Sequence, residues 1–155
     1  MWQPRLEGDE SVRIMRVKTS LTRRYRFAAS HRLHNARLSE AENYRLYGKC
    51  NNPYGHGHNY VVEVTLTGPV DLATGMIANL GELDPFVEQR VIEPFDHKYL
   101  NEEVEEFQSA IPTTENLARA IYRRLQDFPG AQLERVRIEE TSKNSFEYDG
   151  REARE

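Results

Sequence analysis

Two stretches of the chain alternate between faces as β-strands do, and each carries histidine on its more apolar face. In residues 23–33, the residues on that face are Tyr25, Phe27, Ala29, His31 and Leu33. In residues 58–67, they are His58, Tyr60, Val62, Val64 and Leu66. If the two strands pair, their histidines meet on one surface of a sheet. The pattern therefore predicts a sheet protein whose main strands bring imidazoles together.

A His-Gly-His sequence at residues 56–58 adds another histidine to this surface. His56 and His58 project the same way in an extended strand, with Cα atoms roughly 6.5 to 7 Å apart, so both imidazoles can reach one ion. Gly57 leaves room for close approach by backbone or ligand. Three protein ligands with one free position are typical of catalytic zinc, and His31 is the natural third ligand. The alternative is that each histidine is an ordinary polar group at a strand end.

The chain's single cysteine, Cys50, lies just ahead of His56 among loop-forming residues. A thiol acts as a base or nucleophile only as thiolate, and its pKa of about 8.5 falls beside positive charge or a metal. Lys49 and a zinc ion are the expected sources of that charge. Two alternatives stay open. In the first alternative, Cys50 is an inert buried residue. In the second, it is a fourth zinc ligand, which would close the site and make it structural.

Two further groups of polar residues suit acid–base chemistry or ligand binding. Asp96 and His97 form a pair in which a carboxylate can hold the tautomer of a proton-exchanging histidine, although a surface histidine beside an aspartate is common. Glu140 shares the apolar face of a predicted strand, where a carboxylate needs a partner such as the amidine or guanidine edge of a heterocycle. A strand-end glutamate in water is the alternative for Glu140.

The remaining pattern places strands and helices in an order that predicts an α+β fold, with the helices on one face of the sheet. Ser39 and Glu42 form a capping box that starts a short helix over 39–47, closed by Gly48. Further predicted elements are the end of the second strand at Gly68-Pro69, a turn over 71–75, a short strand over 76–79, a helix from Leu83 to Pro94, a helix capped by Thr113 and Thr114, and a last strand through Val136 with a return at 146–148. Open sheet edges favour a homo-oligomer.

Length and charge limit the classes of protein to consider. The 155 residues suffice for one domain, predicted over 21–150, between an N-terminal extension (1–20) and a charged tail (151–155). A formal net charge of −4 argues against nucleic acid as a partner. A single cysteine cannot form an intrachain disulfide, and residues 1–16 lack the apolar run of a signal peptide or membrane span. These features predict a cytoplasmic protein with no membrane partner.

Six motifs follow one another in the order found in a known family. They are Phe-x-Ala-Ser-His-Arg-Leu, Cys-Asn-Asn-Pro-x-Gly-His-Gly-His-Asn-Tyr, Thr-Gly-Met, Asp-His-Lys, Thr-Thr-Glu-Asn and a late Glu-Thr. Together they fall within residues 24–150 and resemble the 6-pyruvoyltetrahydropterin synthase family. The resemblance implies a tunnelling fold, in which a four-stranded antiparallel sheet carries two helices. Trimers would close a twelve-stranded barrel, two trimers would stack into a homohexamer, and active sites would lie between subunits.

The resemblance also implies a reaction. In it, 7,8-dihydroneopterin triphosphate would become 6-pyruvoyltetrahydropterin with elimination of triphosphate, and hydrogens would shift within the substrate without an external redox cofactor. His31, His56 and His58 would bind Zn²⁺, which polarises the side-chain oxygens of the substrate. Cys50 would remove the carbon-bound proton that becomes acidic as a result.

Other matched positions would complete that site. Asp96 and His97 would assist Cys50 and relay protons, with a neighbouring subunit as a potential source of the pair. Glu140 would anchor the amino-pyrimidine ring of the pterin. The residues near that pocket would be Thr113, Thr114 and Glu115. Magnesium would accompany the substrate triphosphate, although the sequence shows no dedicated ligand set for it.

Alternatives to this assignment stay open. The 6-carboxytetrahydropterin synthases of the deazapurine (queuosine) pathway act on the same substrate and share most of the site. Their interval between cysteine and His-Gly-His is usually shorter than residues 51–55 here, which favours the pyruvoyl product. The turn over 142–145 departs from the acidic, asparagine-rich turn of relatives of the animal enzyme. The sequence therefore does not decide which residues of this turn contact the pocket. The chain could instead be a non-catalytic module that binds zinc and pterin. Metal-assisted nucleotide hydrolysis ranks last, because it gives Cys50 no role.

Overall fold

The computed structural model describes residues 18–153, which form one β-sheet of five strands with helices. The strands are β1 (Lys18–His31), β2 (His56–Pro69), β3 (Lys98–Tyr99), β4 (Gln132–Thr141) and β5 (Asn144–Tyr148). Their order across the sheet is β3-β1-β2-β4-β5. The four longer strands pair antiparallel, and β3 adds two residues parallel to β1. The sheet is therefore mixed, which corrects the expected four-stranded antiparallel sheet. A two-residue strand has too few positions to show a periodicity.

The helices confirm an α+β fold. They are α1 (Glu40–Tyr47), α2 (Leu80–Val87), α3 (Glu93–Phe95), α4 (Leu100–Glu103) and α5 (Thr114–Leu125). A π-helical turn over Glu88–Ile92 joins α2 to α3, and 3-10 turns lie over Gly48–Asn51 and Glu105–Gln108. Across the part of the chain that the structure describes, no helix combines the length and the apolar character needed to cross a membrane.

The core lies between one face of the sheet and the helices. Buried residues from the sheet include Phe27, Tyr60, Val62, Leu66 and Ile138. Buried residues from the helices include Leu83, Phe95, Leu117, Ile121 and Leu125. The opposite face of the sheet is polar, and there Glu63 pairs with Arg24 at 3.3 Å and with Arg137 at 3.0 Å. Because strand residues alternate between the two faces, the histidines of β1 and β2 lie at the end of the apolar face.

Local signals place most elements correctly. The capping box at the start of α1 is present, since Ser39 accepts a hydrogen bond from the backbone of Glu42 and the Glu42 side chain accepts one in return. Gly48 ends that helix with a φ of 55°, which favours glycine. The helix expected to end near Pro94 ends at Phe95, after the π-helical turn. The predicted return strand is part of β5.

Three boundaries differ from the expectations. The sequence predicts a second strand over 58–67, but β2 begins at His56 and includes Gly68 and Pro69. Gly68 pairs with Thr19 and Pro69 with Lys18 at the strand end, where a missing N–H costs little. Residues 76–79 form no strand, and Asn79 instead caps α2. β1 includes residues 18–20 of the expected extension, while 1–17 lie outside the described residues. Residues 151–153 of the expected tail form no helix or strand, and 154–155 are likewise outside.

Candidate active site

The strand register brings the three predicted histidine ligands together. His31 lies directly opposite His56 in the antiparallel pair of β1 and β2, and His58 lies opposite Ala29, two residues along the same face. The Nε2 atoms of His31 and His56 are 3.0 Å apart, and those of His56 and His58 are 3.1 Å apart. We call these three residues the histidine cluster. Its ligand atoms all lie within 4.8 Å of one another, so the expected convergence is confirmed.

Hydrogen bonds within the histidine cluster do not account for this arrangement. A ring nitrogen either donates or accepts one bond in the ring plane, yet His56 Nε2 lies within 3.1 Å of two other nitrogens. The His58 ring stands at 86° to that of His31 and at 84° to that of His56. Three nitrogens held tetrahedrally by zinc at 2.0–2.1 Å would be about 3.3 Å apart. The donor set and its spacing therefore fit a single Zn²⁺.

A backbone carbonyl orients His31. The Nδ1–H of His31 donates to the carbonyl oxygen of Pro112 at 2.8 Å, and because that oxygen can only accept, the Nε2 lone pair faces the other histidines. The ring is 0% exposed, and burial lowers the pKa of His31 and that of His58. Burial therefore favours the neutral form of both imidazoles, whereas the hydrogen bond to Pro112 sets the orientation of the His31 ring. Sequence reasoning missed Pro112, because a carbonyl partner leaves no side-chain signal.

Gly57 is required by the close approach of β1 and β2 beside the histidine cluster. It lies opposite Ser30, and a Cβ at this position would lie 3.2 Å from the carbonyl oxygen of Ala29. That distance is tighter than ordinary van der Waals contact, so a larger residue would push the strands apart. The expectation that Gly57 permits close backbone approach is confirmed.

Cys50 lies in the 3-10 turn over Gly48–Asn51 and is partly buried. Its carbonyl oxygen accepts a 2.8 Å hydrogen bond from the backbone N–H of Leu33, which ties the turn to the residues after β1. Burial raises the pKa of the Cys50 thiol, and the negative charge of Glu140 raises it further. Lys49 is not among the groups that shift this pKa, and the other expected source of positive charge, a zinc ion, stays a prediction. In residues 18–153, the group of potential metal ligands contains the histidine cluster and not Cys50, so nothing supports a closed four-ligand site.

Glu140 lies next to His58 of the histidine cluster, at an irregularity in the pairing of β4 and β5. Its Oε1 atom is 3.6 Å from His58 Nε2 and accepts a 2.7 Å hydrogen bond from Thr114 Oγ1. Its Oε2 atom accepts a 3.1 Å hydrogen bond from Asn144 Nδ2. Only 15% of the Glu140 side chain is exposed. The alternative of a glutamate simply solvated at a strand end is therefore wrong.

The residues that begin α5 have different environments. Thr113 caps the helix, since its Oγ1 atom accepts a hydrogen bond from the backbone N–H of Asn116 at 3.3 Å. Thr114 is 3% exposed and joins the site through Glu140, which corrects its interpretation as a second cap. Glu115 is exposed on the first turn of the helix.

Asp96 and His97 form the expected pair, but the structure does not pack them against Cys50. His97 Nδ1 is 2.8 Å from Asp96 Oδ2, and Asp96 Oδ1 accepts a 2.8 Å hydrogen bond from the backbone N–H of Ala28. The Ala28 N–H and then His97 hold the pKa of Asp96 below its usual range. His97 has a φ of 58°, and its side chain is 82% exposed. The pair is thus preassembled at the surface beside β1.

Two surface hollows lie along the sheet. His97 and Lys98 line an open hollow of about 480 Å³ that also contacts Gly57 and His58, so it adjoins the histidine cluster. A larger hollow of about 860 Å³ lies around the first residues of β1 and β4 and contains none of the predicted site residues. The chemistry of the ligand groups, rather than cavity size, therefore locates the candidate site.

Comparison with known proteins decides the family. A family model described as 6-pyruvoyl tetrahydropterin synthase matches residues 20–151, which include the whole candidate site. The chain belongs to the 6-pyruvoyl tetrahydropterin synthase family.

Members of this family are similar to the chain along most of its length. The 6-pyruvoyl tetrahydrobiopterin synthase of Homo sapiens is 46% identical over 136 residues, which cover 87% of this chain and 94% of the human protein. The structure of Caenorhabditis elegans 6-pyruvoyl tetrahydropterin synthase matches with a TM-score of 0.82 and 41% identity, covering 87% of this chain and 97% of that one. A 6-carboxy-5,6,7,8-tetrahydropterin synthase of Haemophilus influenzae is 26% identical over 121 residues, which cover 65% of this chain and 84% of its own.

In this member of the 6-pyruvoyl tetrahydropterin synthase family, Glu140→Gln is expected to make Cys50 more reactive in the metal-free protein. The substitution removes the negative charge that raises the pKa of the thiol, so the thiolate forms at lower pH. The measurement is the rate of alkylation by iodoacetamide as a function of pH, which is unambiguous because the chain has one cysteine. Glu102→Gln, which removes an exposed carboxylate from α4, is the matched control. An unchanged pH profile in Glu140→Gln would contradict the prediction.

Proposed function

We propose that this protein is a zinc-dependent 6-pyruvoyltetrahydropterin synthase, a lyase that converts 7,8-dihydroneopterin triphosphate to 6-pyruvoyltetrahydropterin and triphosphate. The observation that carries the proposal is the convergence of three imidazole Nε2 atoms, spaced 3.0 and 3.1 Å apart, with the Glu140 carboxylate 3.6 Å from one of them. Ligands for a metal and an acceptor for a heterocycle thus meet in one place. Membership of the synthase family supports the same substrate class.

The metal would supply one element of the chemistry. Zinc bound by the histidine cluster would polarise the hydroxyl oxygens of the substrate side chain and acidify the adjacent carbon-bound hydrogen. Cys50 would accept that proton as thiolate, because the charge of a bound zinc ion would offset the rise in pKa that burial and Glu140 cause. The electron pair left behind reduces the C=N bond of the dihydropterin ring. Loss of a second proton, from the middle carbon of the side chain, then expels triphosphate with the oxygen that it esterifies, and the resulting enol becomes a methyl ketone. Oxidation of the side chain balances reduction of the ring, so no external oxidant or reductant is required.

Glu140 and the start of α5 bind the pterin ring in this proposal. The carboxylate accepts hydrogen bonds from the ring N–H and the amino group of the pyrimidine, because a planar amidine matches the two carboxylate oxygens. Thr114 holds that carboxylate through the 2.7 Å hydrogen bond to Oε1. Thr113 and Glu115 complete the pocket at the helix start.

Asp96 and His97 relay protons to a site that a second copy of the chain completes. Support comes from their exposure, since His97 is preassembled with Asp96 yet has no hydrogen bond to Cys50 or the histidine cluster in residues 18–153. Support also comes from the sheet edges, because β3 pairs with only Ala29 and Ser30 of β1. Unpaired strand edges favour association. The specific assembly that we propose, a homohexamer of two barrel-forming trimers, is the one that the family resemblance implies. The cytoplasmic location and the magnesium ion with the triphosphate stay predictions.

Product analysis tests the proposed function. After incubation with 7,8-dihydroneopterin triphosphate, mass spectrometry should find triphosphate and a product with the mass of 6-pyruvoyltetrahydropterin. A product with the lower mass of 6-carboxytetrahydropterin would instead assign the protein to the carboxy branch, to which the Haemophilus influenzae relative belongs by name. Binding of zinc and pterin without turnover would show a non-catalytic module.

A further inference from the structure

The turn between β4 and β5 reaches Glu140 through a short chain of hydrogen bonds. Glu140 lies where the register of the two strands shifts, between the pair Glu139–Ser145 and the pair Thr141–Asn144. Such a bulge re-aims a side chain. The Nδ2 atom of Asn144 donates to Glu140 Oε2 at 3.1 Å. Neither the proposed metal ligands nor the proposed proton transfers need Asn144, so its contact with Glu140 calls for a separate explanation.

The Asn144 amide has two partners, and the acceptor-only carboxylate of Glu140 decides its orientation. The backbone N–H of Lys143 donates to Thr141 Oγ1 at 3.2 Å, and the Thr141 hydroxyl in turn donates to Asn144 Oδ1. A flipped amide would set Oδ1 against the Glu140 carboxylate and would turn its NH₂ group towards the Thr141 hydroxyl. The carboxylate therefore selects the donor end of the amide, and the Thr141 hydroxyl, which can donate to Oδ1, supports that orientation.

The Glu140 carboxylate keeps enough free acceptor positions to bind a bidentate ligand. An ionised carboxylate offers about four acceptor positions. Thr114 Oγ1 occupies one on Oε1, and Asn144 Nδ2 occupies one on Oε2. One position on each oxygen remains, which suits two parallel N–H groups of a planar amidine. Donors from two separate elements, α5 and the turn, hold the plane of the carboxylate.

We infer that Asn144 is a positioning residue that sets the plane of the Glu140 carboxylate and thereby makes the site selective for heterocycles with an amino group beside a ring N–H. The inference rests on the proposed function, because it concerns the pterin pocket. Asn144 touches no reacting atom and acts through Glu140. Its loss should therefore raise KM and weaken ligand binding while kcat changes little.

Two probes that differ only at the amino group test this inference. They are neopterin and the lumazine with the same side chain, in which oxygen replaces the 2-amino group. Their Kd values are measured on the full chain as purified. The unsubstituted protein should prefer neopterin, and Asn144→Ala should weaken neopterin binding about tenfold while leaving the lumazine unchanged. Asn144→Asp should weaken neopterin further, because a second carboxylate would face Glu140. Thr141→Val should produce a smaller loss.

Controls separate positioning from folding. Lys143→Ala changes the same turn and should leave both Kd values unchanged, and metal content and Tm should match in every variant. In a Glu140→Gln background, Asn144→Ala should have no further effect, since the two residues act as one unit. Additive effects, or unchanged selectivity in Asn144→Ala, overturn the inference and leave the proposed function intact. A protein that does not prefer neopterin overturns both. If Asn144→Ala does not fold, Thr141→Val decides by the same criteria.

Discussion

Replacing Cys50 with alanine is expected to lower kcat by about 10²- to 10⁴-fold, the usual contribution of a general base. Zinc content and pterin binding should stay at the level of the unsubstituted protein, because Cys50 is not in the group of metal ligands and Glu140 is unchanged. The measurements are kcat from product formation, metal content, Kd for neopterin and Tm. They distinguish the roles that the sequence leaves open for this thiol.

Two further variants make the Cys50 result specific. Cys50→Ser replaces the thiol with a hydroxyl of similar size that ionises only at much higher pH. The kcat of this variant should therefore fall almost as far as in the alanine variant. Tyr54→Phe changes a fully exposed side chain in the same loop and should leave kcat unchanged. Loss of zinc or of folding in Cys50→Ala would indicate structural coordination. Turnover near that of the unsubstituted protein would place the base elsewhere.

Replacing His31 with alanine is expected to weaken zinc binding by at least about 10²-fold, since even loss of a partner that only orients a ligand costs 10- to 100-fold. The same change should lower the free energy of unfolding by about 2–4 kcal/mol, because it empties a fully buried position and leaves the Pro112 carbonyl without its donor. Zinc affinity is measured by competition with a chromophoric chelator, and stability by urea unfolding of the metal-free protein.

The two effects at His31 can be separated. His31→Gln keeps most of the volume and an N–H donor for Pro112, so its stability should fall less, while zinc binding should still be lost. His34→Ala is the matched control, because His34 contacts the Asn51 side chain and lies outside the histidine cluster. Zinc binding by His31→Ala with the affinity of the unsubstituted protein would contradict the assignment of the metal ligands.

Much of the candidate site follows from local sequence pattern. Alternation along β1 and β2 places His31, His56 and His58 on one face, because side-chain direction in a strand depends only on position in the pleat. The capping box predicts the start of α1, and Gly57 predicts the close approach of two backbones. The family motifs then imply roles for Cys50 and Glu140.

Other features of the site depend on contacts between distant parts of the chain. Thr113 and Thr114 are equivalent as sequence, yet one caps α5 and the other donates to Glu140, since the direction of each hydroxyl depends on how α5 packs on β4. In the sequence, Asp96 and His97 are far from every other site residue. Only the fold shows that they lie at the surface beside β1. A two-residue strand such as β3 has no pattern of its own.

The sequence by itself determined which residues of each strand face the same way, and so which imidazoles can share an ion. Only the tertiary structure decided the charge state and orientation of those groups. Burial and the nearby Glu140 carboxylate raise the pKa of the Cys50 thiol, and His31 presents Nε2 to the other two histidines because Pro112 accepts from Nδ1. The physical reason is that strand periodicity is a local property of the backbone, whereas burial, Coulomb energy and hydrogen-bond partners depend on distances across the folded chain.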